Sequence, residues 1–79
     1  MATKDISDEL ICRTVADMWS RRNAGEKGLL LDELLAERTG QPIKVCFRAM
    51  ERACRRGLIE YGMWLQAAWL TDRGKALLS

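Results

Sequence analysis

The segment from Gln41 to Gly57, QPIKVCFRAMERACRRG, constrains this chain more than any other. At helical spacing it separates into two faces. Ile43, Cys46, Phe47, Met50, Ala53 and Cys54 form an apolar stripe. Lys44, Arg48, Arg52 and Arg55 recur at the same spacing and form a basic stripe on the other side. A helix buried on one side and cationic on the other suits a negative surface. Pro42 fits the first helical turn, and Gly57 fits a stop just past the last. A basic stripe can also be a merely solvated face. Glu51 is the one acid that interrupts this run, which argues against that blander reading.

The charge distribution along the chain agrees. The net charge is +2, but residues 1–39 hold 6 Lys/Arg against 8 Asp/Glu, and residues 40–79 hold 7 against 3. The positive half is the one that carries the two-faced helix. Such asymmetry points to a polyanionic partner.

Several function classes lose support on residue content. There is no histidine, which removes the commonest general base and the commonest metal ligand. Gly25 and Gly28 flank Glu26-Lys27, a charged turn rather than a phosphate-cradling loop. The acid pairs Asp8-Glu9 and Asp32-Glu33 fall at expected helix starts, where they favour the helix dipole. The expectation is a protein that is not an enzyme and needs no cofactor. Cys12, Cys46 and Cys54 lie in apolar stripes and read as reduced structural thiols. A metal or iron–sulfur centre wants closely spaced cysteines, and these are not.

Seventy-nine residues suit one small domain with a modest core, expected over 1–79. No apolar run approaches the ~20 residues that cross a bilayer. The start, MATKDISDEL, has no apolar signal region, so a cytoplasmic location and no membrane partner are expected.

Along the chain, Asp5 or Ser7 can cap a first helix over about 6–22. Its inward face is Leu10, Ile11, Thr14, Val15, Met18 and Trp19. After a loop, Leu29-Leu30-Leu31 reads as a small edge strand or an extended lead-in. Asp32 is expected to cap a second helix over about 32–39, ended by Thr39-Gly40. Only Gly40-Gln41-Pro42 separates it from the third helix, over about 42–56, which makes the pair a helix-turn-helix candidate. Leu58–Tyr61 and Ala67–Leu70 read as two strands of a hairpin over about 58–71. Thr71-Asp72 then caps a short helix over about 72–78, with Leu77 and Leu78 returning to the core.

This order resembles the winged helix-turn-helix. RAMERACRRGLIEY (Arg48–Tyr61) is similar to a recognition helix running into the first wing strand. AWLTDRGKALL (Ala68–Leu78) is similar to the second wing strand and following helix of MarR-, PadR- and HxlR-type regulators. LLLDELLAERTGQP looks like the usual second helix and turn. The resemblance implies an α+β, mainly α fold: three helices, a two- to three-stranded β-wing and a short C-terminal helix. It implies that the third helix enters the major groove of double-stranded DNA, as in a small prokaryotic, phage or plasmid transcriptional regulator. The residues presented to DNA would then be Gln41, Lys44, Val45, Arg48 and Arg52, with Arg55 and Arg56 placed for phosphates.

The chain departs from that pattern in two ways. It lacks the length for the long dimerising helices of MarR-type proteins. The stretch from Glu60 to Thr71 also contains no Lys or Arg, and its tip is Met63-Trp64-Leu65. Either those tip residues fold back onto the core, or they form an exposed patch for a second copy or another protein, with Trp69 extending it. The second alternative makes the chain a protein-interaction module that uses the apolar hairpin at 62–66.

Overall fold

The computed structural model describes residues 6–79. Helix α1 spans Asp8–Asn23, α2 spans Leu31–Thr39 and α3 spans Ile43–Arg55. A hairpin follows, with strands β1 (Ile59–Glu60) and β2 (Trp69–Leu70), and then helix α4 (Asp72–Leu77). The strands pair antiparallel, Ile59 opposite Leu70 and Glu60 opposite Trp69. This is the mainly helical α+β arrangement expected from the sequence, and its topology is winged-helix-like.

Local chemistry sets the helix ends. The Ser7 hydroxyl accepts the Leu10 N–H at 3.1 Å, with Asp8 and Glu9 in the first turn and Arg21 and Arg22 in the last. The other expected cap, Asp5, lies outside the described residues. Helix α2 stops at Gly40, whose φ of 72° is left-handed and whose N–H reaches the Ala36 carbonyl at 2.9 Å. The Thr39 hydroxyl donates to Leu35 O at 2.7 Å and accepts the Gln41 N–H at 3.2 Å, which fixes the three-residue turn into α3. Thr71 caps α4 by accepting the Gly74 N–H at 3.1 Å, and its hydroxyl donates to Gly57 O at 2.6 Å.

The core is one cluster under α1. Ile11, Cys12, Thr14, Val15 and Met18 of α1 are buried against Leu31, Leu34 and Leu35 of α2 and Cys46, Ala49, Met50 and Ala53 of α3. Each large apolar side chain buried there contributes about 1.5–3 kcal/mol. The Thr14 hydroxyl is satisfied inside, donating to Leu10 O at 2.8 Å. Trp19 ties α1 to the hairpin by donating Nε1–H to the Ala68 carbonyl at 2.7 Å. Gly74 is where α4 meets Leu58, the residue that leads into β1. A Cβ there would stand 2.1 Å from the Leu58 carbonyl oxygen, so only glycine permits the contact.

Several sequence expectations need correction. Leu29–Leu31 is not a strand; the sheet of the described residues has two strands. Leu30 is extended and exposed, while Leu31 is fully buried and already helical, because the core claims its side chain. The helix therefore starts one residue before Asp32, and Asp32 does not cap it. Asp32 sits buried in the first turn, where Oδ1 accepts the Glu33 N–H at 2.9 Å. The strands are two residues long rather than four, since Leu65–Ala67 forms a 3-10 turn inside the connection. Leu77 faces solvent, and Leu78 alone of that pair packs on the core. Ile43 is exposed, and Ala49 takes the inward place at the other side of the stripe.

Candidate nucleic-acid interface

Helix α3 buries Cys46, Ala49, Met50 and Ala53. At 3.6 residues per turn, the side directly opposite carries Lys44, Glu51, Arg48 and Arg55. All four are exposed. Lys44, Arg48 and Arg55 form no ion pair among the described residues. Three cations therefore line one accessible helix face, with one acid between them. Their ammonium and guanidinium groups are fully available to an external anion.

Arg52 and Arg56 are placed differently. Asp8, in the first turn of α1, pairs with both. Its Oδ1 lies 3.1 Å from Arg52 Nε, and its Oδ2 meets Arg56 Nη1. Arg52 also donates Nη2–H to the Ile6 carbonyl. The expectation that Arg52 points outward is thus corrected: its guanidinium joins α3 to the start of α1. Arg56, the C-cap of α3, remains exposed beyond its carboxylate partner.

Two further residues expected at the surface turn inward. Val45 is half-buried against the core. Gln41 is also half-buried, and its Oε1 is fully shielded with no hydrogen-bond partner among the described residues. The outward set is therefore Lys44, Arg48 and Arg55, with Arg56 at the end of the helix.

The hairpin tip answers the alternative left open by the sequence, and it divides. Leu65 is buried, because the 3-10 turn aims it at the core. Met63 is 82% exposed and Trp64 59% exposed. These two stand over a groove of about 460 Å³ between the tip and α3. Phe47, Cys54 and Leu65 line it from the core side, Tyr61 flanks it, and Glu51 and Arg55 edge it. Trp69 is exposed, but it does not line this groove. The groove has little trace in the sequence. Its one sequence signal is that Phe47 and Cys54 lie at the edge of the apolar stripe, next to the charged face.

The thiols fit structural roles. Burial pushes the Cys12 and Cys46 thiols up from their ordinary value, with Asp8 adding to the effect at Cys12. Among the described residues no group of three or more His, Cys, Asp or Glu could hold a metal ion. Among the described residues no helix is long and apolar enough to cross a membrane. No protein-family model matches the chain, and no match is found among curated proteins or solved structures.

Proposed function

We propose that this chain is a sequence-specific DNA-binding protein that lays α3 in the major groove of double-stranded DNA, as a small transcriptional regulator of a prokaryote, phage or plasmid would. The observation that carries this reading is the row of Lys44, Arg48 and Arg55 on the outward face of α3, each without an acidic partner among the described residues. The winged-helix-like topology supports it, because α2 and the short turn brace α3 while leaving that face open. Arg48 lies mid-helix, where a guanidinium can read a guanine edge with two hydrogen bonds. Lys44 and Arg55 suit phosphates nearer the two ends of the helix. Arg48→Ala is then expected to cost about 1–3 kcal/mol of binding and to relax base preference at one position. Fluorescence anisotropy with duplex DNA at low salt tests this, and an unchanged signal with every duplex sinks it.

A second reading is favoured by the hairpin, which is uncharged between Glu60 and Thr71 and leaves Met63 and Trp64 in water. On this reading the hairpin is a protein-docking surface, alongside the DNA-binding role or in place of it. Trp64→Ser would then remove the complex while leaving the fold intact. An unchanged elution volume and an unchanged set of bound proteins would count against it.

A further inference from the structure

We propose that the groove between α3 and the hairpin tip seats a second copy of this chain, the two tips exchanging across a twofold axis. This rests on the docking reading of the hairpin and names its partner. The patch holds a projection and a hollow side by side. Met63 and Trp64 project, and the hollow of about 460 Å³ beside them is backed by Phe47, Cys54 and Leu65. A twofold contact requires both features on one surface, since each copy must give and receive.

The charges select the same partner. Glu51 and Arg55 both edge the groove, and neither has an ion pair among the described residues. A twofold places Glu51 of one copy near Arg55 of the other. A phosphate backbone laid across this patch meets Arg55 as its one cation, beside Glu51 and a hairpin with no Lys or Arg from Glu60 to Thr71. A purely acidic protein meets the same carboxylate. A copy of this chain brings one charge of each sign and satisfies both.

The exposed area sets how tight such a contact can be. The exposed parts of Tyr61, Met63 and Trp64 amount to on the order of 400 Å², about half of the ~800 Å² per copy of a standard interface. That is the size of a weak, reversible contact. Lys44 and Arg48 do not line this groove, so a dimer leaves them outward. Two copies would then present two α3 helices, as paired half-sites require.

Sedimentation equilibrium of the full chain without DNA tests the proposal, over concentrations on the order of 1–500 μM that bracket a micromolar dissociation constant. A monomer–dimer equilibrium is expected. Met63→Asp should weaken it at least tenfold, with an unchanged circular dichroism spectrum. Glu51→Arg and Arg55→Glu should each weaken it, and the two together should restore it. A monomer at every concentration overturns the proposal, even if the hairpin captures some other protein. A dimer indifferent to Met63→Asp and to the charge exchange also overturns it. Because no DNA is present, failure here is separate from failure of the α3 reading, which rests on duplex binding and its loss in Lys44→Ala and Arg48→Ala.

Discussion

Replacing Asp8 with Asn should lower stability and raise DNA affinity at once. In the folded chain Asp8 holds two α3 guanidiniums, Arg52 at 3.1 Å and Arg56 beyond it. The Arg52 pair is largely shielded, with side-chain exposures of 16% for Arg52 and 20% for Asp8. A charge-assisted bond in such a site contributes about 1.5–3 kcal/mol. The Arg56 pair is open to water and adds at most about 1 kcal/mol. Asparagine keeps one acceptor oxygen but loses the charge and its interaction with the α1 dipole, worth about 0.3–1 kcal/mol. The net expected loss is about 2 kcal/mol. For a chain of this length that lowers the melting temperature by about 8–16 °C. At the DNA surface the sign reverses. A negative charge leaves the end of α3, and Arg56 is released toward phosphate, steepening the salt dependence by up to ~0.9 in log–log slope. Urea unfolding and fluorescence anisotropy on the same samples read both effects. An unchanged unfolding midpoint, or weaker binding at low salt, would show that Asp8 does not clasp these arginines.

Three other substitutions or reactions probe the fold. Gly74→Ala should destabilise by about 1–3 kcal/mol or more, because the new methyl meets the Leu58 carbonyl at 2.1 Å and backbone cannot easily give way; thermal unfolding reads it, and a neutral result would mean α4 sits farther from β1. Trp19→Phe keeps the ring but leaves the Ala68 carbonyl without its 2.7 Å donor, at a cost of about 1–3 kcal/mol in urea unfolding. Alkylation followed by mass spectrometry should label Cys54 first, since it borders the groove while Cys12 and Cys46 are buried with raised thiol values. The same raised values have a pH consequence: both thiols keep their protons longer when folded than when unfolded. Their contribution is intact below the ordinary thiol value of about 9 and is lost as pH rises through the higher folded value, so stability should decline on the alkaline side.

The parts of this fold legible in the sequence were those fixed by local spacing. The two stripes of α3, the Ser7 and Thr71 caps and the Gly40 stop each depend on residues within a few positions of one another. What escaped depended on residues far apart. Asp8 and Arg52 are separated by 44 positions, so a cation counted as outward proved to be an internal clasp. Three leucines in a row carry no helical period, so Leu29–Leu31 suits an edge strand or an extended lead-in, yet the core draws Leu31 in and starts α2 early. Leu65 was grouped with Met63 and Trp64 as one tip, and the 3-10 turn that separates them has no clear sequence signature. Resemblance to a helix start that faces DNA sets Gln41 and Val45 outward, whereas Val45 packs on the core and Gln41 is half-buried with its Oε1 shielded.

The most direct test of the central claim is the salt dependence of binding to duplex DNA, measured on the parent chain and on Lys44→Ala, Arg48→Ala and Arg55→Ala. These side chains are exposed and unpaired among the described residues, so each variant should keep its stability within about 0.5 kcal/mol. Lys44 and Arg55, the two cations placed for phosphates, give an expected log–log slope of about −1.8 per copy. Each substitution that removes a phosphate contact should flatten it by about 0.9. Binding with no salt dependence, or binding that all three variants retain in full, would mean that α3 does not meet DNA through this face.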